Sequence, residues 1–411
     1  MMNQIVDVGI KSLIGAPIGT PYGVPTQNLV TRTAQPPVIP PPAMPSTGLK
    51  RALNYLADYG GCGFYRCMSA NFLLNINQKA VITESTTMIL DERFYQTVDS
   101  IKVQRQATTY QKDFLFALKQ MGERTQKQTK MIYEVDDVVF AEDIPIYNRN
   151  RDAFTSPEIQ SSIKDILGIM DEIVVTTDYF KEYMSSKIDN KKITVIPNYL
   201  MKWWFDRYYN LNQLLKAYDK NKKKPIVAIF ASGTHCDVLN RTNQQDDFAF
   251  VVDNIIKTRT EFNWHFYGSY PLTLKPFIDK GEMKFFPWVQ LSEFPETMAN
   301  SGAQLTFACL QDNNFNRCKS NIKLIEAGAL GLPCVCPDMV TYKDAFLKYK
   351  NGNEFIDCIK TALKNQTTYS DMCKKSRAFA EKFWLDDDHN LMKHYEVYFT
   401  PYKSSERRFI V

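Results

Sequence analysis

Between residues 50 and 198, short apolar runs of strand length alternate with stretches of helical spacing. "RALNYLAD" (51–58), "KAVITES" (79–85), "SIKVQRQ" (100–106), "KMIYEVDDVVF" (130–140), "DEIVVTT" (171–177) and "KITVIPN" (192–198) predict strands. A glycine turn, "YGGCGFYR" (59–66), leads into a helix reaching residue 76. "TTYQKDFLFALKQM" (108–121) puts Phe114, Leu115 and Leu118 on one helical face, and "DYFKEYMSSKI" reads as a helix capped by Asp178. After a lysine-rich link, "DKNKKKP" (219–225), the alternation restarts with "IVAIFA", "NWHFYG", "MKFFPW", "AQLTFACL" and "LPCVCP". Helical patterns near 244–258, 272–280, 292–300 and 320–330 separate these runs. Strands alternating with helices imply parallel sheets covered on both faces. The pattern occurs twice, so the expected class is α/β, with two Rossmann-like domains facing each other across a cleft. The first domain is placed at 49–218 and the second at 219–375.

Residues 1–48 carry "GAPIGTPYGVPTQ" and "QPPVIPPPAMP" without periodicity, and are expected to form an extended arm. Residues 374–399 have helical spacing, with Phe379, Phe383 and Trp384 as aromatics. This stretch, taken as a helix over 376–400, is expected to brace the cleft by crossing back to the first domain. Two domains suit 411 residues, and 44% hydrophobic with 23% charged residues is ordinary globular composition. No run approaches the roughly 20 apolar residues of a membrane span, and the N-terminus lacks the layout of a signal peptide. No membrane partner and a cytoplasmic location are therefore expected. The nine cysteines have neither zinc nor redox spacing. A net charge of +5 permits a polyanionic partner without requiring one.

The candidate chemistry concentrates in "FNRCKSNIKLIEAGALGLP" (315–333). Ser320 has N-cap chemistry, which would start a helix there and turn its free N–H groups toward the crevice at the strand ends. Arg317 and Lys319 before the cap, and Asn321 after it, would then surround a diphosphate. Glu326 lies six residues beyond Ser320, or about 9 Å at roughly 1.5 Å per residue, which suits the ribose of the same nucleotide. Lys323 shares its face, while Ile322, Ile325 and Ala329 form the opposite stripe. The alternative is a Lys–Glu surface pair worth a few tenths of a kcal/mol.

"FNRCKSNIKLIEAGALGLPCV" resembles the donor-site signature of GT-B glycosyltransferases of the family-4 type. The resemblance implies that Glu326 holds the nucleotide ribose. The first glutamate of the family's pair would fall at Cys318, so that role is absent or has moved. "ASGTHCDVL" (231–239) is similar to the loop near the donor phosphates, bringing in Ser232, Gly233 and His235, for which a cap or surface role is the alternative. "FFPWV" (285–289) is similar to the segment whose backbone contacts the nucleobase, at Val289. In the first domain the resemblance gives Gly61 and Gly63 the task of letting backbone approach the donor. Arg66 would reach donor or acceptor, and Arg105 and Gln106 would face the acceptor or form a structural ion pair. Asp136 and Asp137 end a central strand and point different ways. One of them would bind the acceptor hydroxyl or act as general base in an inverting reaction, whereas a retaining reaction needs no such base. No cofactor beyond the UDP-sugar co-substrate and no metal are expected.

With "IKVQRQAT" (101–108), "IYEVDDVVF" (132–140) and "IYNRN" (146–150), the first domain looks like that of phage-encoded GT-B transferases, some of which glycosylate hydroxymethylated pyrimidines in DNA. "LMKWWFDRYY" (200–209) would let Trp203, Trp204 and Tyr208 stack on bases while Lys202 and Arg207 meet phosphate; domain-interface packing is the alternative. The expected activity is transfer of glucose or arabinose from a UDP-sugar to hydroxymethylcytosine in double-stranded DNA. A transferase acting on a polysaccharide, lipid-linked saccharide or protein is the second reading. A non-catalytic DNA-binding protein with this fold is the third.

Overall fold

The computed structural model describes residues 48–401, so the proline-rich arm lies outside the described residues apart from Gly48. The chain lays down β1 (Arg51–Tyr55), β2 (Val81–Ser85), β3 (Ser100–Gln104), β4 (Lys130–Glu134), β5 (Glu172–Val175) and β6 (Lys192–Val195). Then come β7 (Ile226–Phe230), β8 (Asn263–Tyr267), β9 (Lys284–Phe286), β10 (Leu305–Phe307), β11 (Cys334–Pro337) and β12 (Leu347–Tyr349). The first six form one sheet in the order β2-β1-β3-β4-β5-β6, and the last six another in the order β12-β11-β10-β7-β8-β9. The ladders β1/β3, β3/β4, β7/β8 and β7/β10 at the centres are parallel. In each sheet the chain reverses its direction of travel beside the first strand, between β1 and β3 and between β7 and β10. Open α/β sheets bind ligands beyond the carboxyl ends of strands at such reversals.

Several strands are shorter than their apolar runs. β4 stops at Glu134, although "VDDVVF" continues: its last partner on β3 is Gln104, and the residue that follows β3, Arg105, turns left-handed with φ 50°. The chain is thereby released toward the cleft just where Asp136 and Asp137 occur. The helix after β5 is capped by Thr177, whose hydroxyl accepts from the Phe180 N–H, and Asp178 is its first residue. Helices at Pro157–Ile169, Leu211–Asn221 and Gly352–Ala362, and strand β12, were not expected from the pattern.

The expected long C-terminal helix is two helices, Gln366–Ala380 and Asp388–Phe399. Asp387 breaks it by capping the second, accepting from His389 and Asn390 N–H. In the gap Leu385 N donates to Leu200 O (2.8 Å), and Leu200 N to Phe383 O (2.9 Å). The last helix then lies on the first sheet. Its Tyr398 hydroxyl sits 2.9 Å from Asn54 Oδ1 and 2.8 Å from Asn71 Oδ1, with the Lys102 ammonium 4.5 Å above its ring. That contact accounts for the burial of Lys102 on β3. No helix among the described residues is long and apolar enough to cross a membrane.

Candidate functional site

The second-domain crevice opens between the loop after β7 and the Ile322–Ala329 helix. An aromatic ladder runs across β7, β8 and β9, with Tyr267 stacked on Phe230 and on Phe286, each at 4.4 Å. After β7, Gly233–His235 forms a single turn in which the Ser232 and Thr234 hydroxyls lie 2.6 Å apart. His235 is buried, its Nδ1 2.8 Å from Asp247 Oδ2. A carboxylate only accepts, so Nδ1 carries the proton and Nε2 keeps its lone pair. Burial lowers the His235 pKa below the usual histidine value despite Asp247, and nearby Lys323 and Lys319 push the same way. The imidazole is therefore neutral at physiological pH. Asp247 Oδ1 in turn accepts from Tyr147 (2.6 Å), Asn316 Nδ2 (2.7 Å) and Gln311 N (2.9 Å).

The opposite wall is the helix itself. It begins at Ile322 with Asn321 as N-cap and no side-chain cap bond. Ser320 is not the cap; its hydroxyl accepts from Asn198 Nδ2 (2.7 Å), tying it to the first domain. The free N–H groups and positive dipole end still face the crevice. Lys323 folds back so that its ammonium donates to the Phe230 carbonyl at the end of β7. Glu326, one turn on, is only 7% exposed, and its Oε1 accepts from the Tyr65 hydroxyl of the first domain at 2.7 Å. Burial pushes the Glu326 pKa up to about 7, against the opposing effects of Lys323 and the Tyr65 bond. Ile325 and Ala329 are fully buried, as the opposite stripe requires.

The first domain closes the cleft from its own reversal point. A Cβ at Gly63 would lie 1.9 Å from the Asp58 carbonyl, so only glycine allows this turn. Nothing stands within 4 Å of a Cβ at Gly61, which leaves its backbone open to the cleft. The turn runs into a π-helical segment, Phe64–Met68, whose wider winding carries Tyr65 across to Glu326. Asp137 Oδ1 meets Lys319 Nζ at 2.9 Å across the cleft. Asp136 turns the other way, toward Arg105 (3.4 Å), which also holds Asp58 (2.9 Å).

No protein-family model and no curated protein matches the chain. Among solved structures, HepE of Anabaena in complex with UDP is similar over 85% of this chain and 98% of its own, with a TM-score of 0.53 at 10% identity. The same protein with UDP and glucose gives a TM-score of 0.50 over the same shares at 10% identity. A UDP-glucose:anthocyanidin 3-O-glucosyltransferase in complex with UDP covers 86% of this chain and 99% of its own at 9% identity, with a TM-score of 0.44. The fold is GT-B.

Within the GT-B cleft the expected residues divide. Lys319, Lys323, Glu326, Asn321, Ser232, Gly233 and His235 gather around the second-domain crevice, while Gly61 and Gly63 stand in the first-domain turn. Arg317 does not: its guanidinium is bound to Asp312 (2.6 and 2.9 Å) on the surface. Cys318, where the family's first glutamate would stand, packs with Phe315 into the first domain's core and cannot touch a ligand.

Arg66 is a correction. It is 1% exposed, with Nε on Glu134 (2.6 Å) and one terminal nitrogen on Ile196 O (2.6 Å) and Asn198 Oδ1 (3.0 Å), so it faces neither donor nor acceptor. Arg105 likewise takes the ion-pair alternative. Gln106 is buried and donates to Leu56 O (3.4 Å) and Gln104 O (3.1 Å), so it too is turned from the acceptor. Trp204 is 1% exposed against Phe64 at 4.8 Å, and Trp203 packs on the same core, so neither is free to stack on a base. Tyr208 reaches Glu296 (3.3 Å) of the second domain.

Val289 is half-buried, whereas its neighbour Trp288 is 63% exposed and lies over Gly268, where a Cβ would come within 2.9 Å of the indole. Trp288, Tyr65, Arg149 and Asp247 are the cleft residues that sequence reasoning missed. Among the described residues no group of three potential metal ligands comes together.

Proposed function

We propose that this protein transfers a sugar from a UDP-sugar to an acceptor hydroxyl presented by the first domain. The observation that carries the reading is the buried Glu326 carboxylate one turn from Lys323, in the crevice at the β7/β10 reversal and contacted from across the cleft by Tyr65. Glu326 would accept the two ribose hydroxyls, Lys319, Lys323 and the helix N–H groups would neutralise the diphosphate, and the GT-B neighbour HepE supports uracil as the base. In the reaction the acceptor oxygen bonds to the anomeric carbon as the carbon–phosphate oxygen bond breaks and UDP leaves. The acceptor proton passes to Asp137 if the configuration inverts, or to the departing diphosphate if it is retained.

The acceptor we favour is a saccharide hydroxyl. The aromatic cluster that pointed to hydroxymethylated DNA is spent on packing, with Trp204 buried. Calorimetric titration with UDP, GDP, ADP and CDP tests the donor reading; binding of UDP well ahead of the others is expected, and equal weak binding of all four would sink it. UDP release from UDP-glucose in the presence of oligosaccharides or of hydroxymethylated DNA then separates the acceptors. Turnover on the DNA, weakening steeply with salt, would overturn the saccharide choice.

A pH dependence follows from Glu326. Its raised pKa means that the folded state keeps a proton the unfolded chain has already lost. The associated stability is therefore complete below pH 4.5 and gone once the pH has passed about 7. Ribose binding needs the carboxylate, so UDP-glucose, whose diphosphate does not titrate here, should bind about tenfold more tightly at pH 8 than at pH 6. Glu326→Gln should flatten that profile, and a wild-type profile that is already flat would contradict the assignment.

A further inference from the structure

The first-domain loop after β4 reaches over the cleft and is pinned to the second domain at three points. Tyr147 donates to Asp247 (2.6 Å), Asp143 accepts from Asn314 Nδ2 (3.0 Å), and Asp152 pairs with Arg241 (2.5 Å). Between these anchors stands Arg149. Its guanidinium lies over the turn after β7: a Cβ at Gly233 would be 3.2 Å from a terminal nitrogen and 3.5 Å from the central carbon. Glycine at 233 is what allows so close an approach.

Arg149 is exposed and has no hydrogen-bond or ion-pair partner among the described residues. Its neighbours differ: Arg151 donates to the carbonyls of Ala141 (3.1 Å) and Ile144, and Arg241 holds Asp152. The buried carboxylate of this region that His235 and Tyr147 share, Asp247, is also engaged by Asn316 and the Gln311 N–H. A cation is thus held over the lip of the crevice with its donors uncommitted, beside the turn whose His235 senses the charges of Lys319 and Lys323 on the other wall.

We infer that Arg149 is the first domain's ligand for the donor diphosphate. The inference rests on the donor reading proposed above and adds a residue to it from the opposite domain. A planar guanidinium offers paired N–H donors that match adjacent phosphate oxygens, and it stays charged at any working pH. With Lys319 and Lys323 on one side and Arg149 on the other, the diphosphate is gripped by both domains. Docking of the 143–152 loop and binding of the phosphates then become one event. A nucleoside without phosphates meets only half of the site.

The test is calorimetry on the full chain with UDP and with uridine as separate probes, for wild type, Arg149→Ala and Arg149→Lys. Arg149→Ala should weaken UDP about ten- to a hundredfold, the range for loss of a charge-assisted hydrogen bond, and leave uridine unchanged. Arg149→Lys should recover part of the loss. Since Arg149 holds no structural partner, the melting temperature without ligand should not move. Equal UDP affinity in wild type and Arg149→Ala overturns the inference alone, as does an equal loss for UDP and uridine. Failure of the wild type itself to bind UDP overturns the donor reading and this inference with it.

Discussion

Replacing Glu326 with alanine should weaken UDP-sugar binding about a hundredfold or more and reduce turnover to background, without loss of the fold. Two charge-assisted hydrogen bonds to the ribose, at about 1.5–3 kcal/mol each, set the scale. The fold should survive because Glu326 is itself a cost to it: burial raises its pKa, so ionisation at neutral pH opposes folding. Glu326→Gln keeps an acceptor for the Tyr65 hydroxyl but loses the negative charge, and should fall between alanine and wild type in affinity. Calorimetry with UDP, together with thermal melts of both variants, checks this. Unchanged affinity in Glu326→Ala would return the residue to the role of a buried partner for Tyr65 and nothing more.

Arg66→Ala should produce the largest loss of stability, about 3–5 kcal/mol, the range for breaking a buried ion pair. Arg66 and Glu134 are both 1% exposed and lie 2.6 Å apart, and Arg66 also satisfies Ile196 O and Asn198. Removing the guanidinium strands a carboxylate whose pKa burial already raises, with Arg66 as the main opposing influence. The effect should reach the donor side as well, because Asn198 is the residue that holds Ser320 at the helix entrance. Replacing the pair together, Arg66→Met with Glu134→Leu, should recover much of the loss, since an apolar pair of similar volume avoids the desolvation of two charges. Urea unfolding of Arg66→Met, of Glu134→Leu and of the double variant measures the coupling. A variant Arg66→Ala that melted like wild type and lost only acceptor affinity would restore the expectation that Arg66 faces the cleft.

The sequence by itself determined what depends on neighbours along the chain. Period-two and period-3.6 patterns follow from local backbone geometry, and they placed eleven of the twelve strands and the repeat of the α/β pattern in both halves. The pattern around 315–333 located the helix that carries Lys323 and Glu326, because strand, cap region and amphipathic stripe all lie within one stretch. β12 escaped notice because "LKY" is three residues long and its pairing is with β11, beyond any local period.

What the tertiary structure decided is which polar groups are spent on one another. Arg66 read as a cleft residue because it follows the glycine turn that the resemblance places at the cleft; its partner Glu134 is 68 positions away and joins it only when the π-helical turn lies against β4. Trp204 offered a base-stacking surface until the Phe64 ring, brought up by the same turn, covered it. Tyr65 reaches Glu326 over a separation of 261 residues, which no local pattern shows. Arg149 lay in "IYNRN" without any local sign of a role, and its place over Gly233 comes with the docking of Tyr147 on Asp247, 100 residues on. Desolvation and pairing are properties of three-dimensional neighbourhoods, so local periodicity located the donor helix while the packing of the two domains decided which charges around it are free to meet a ligand.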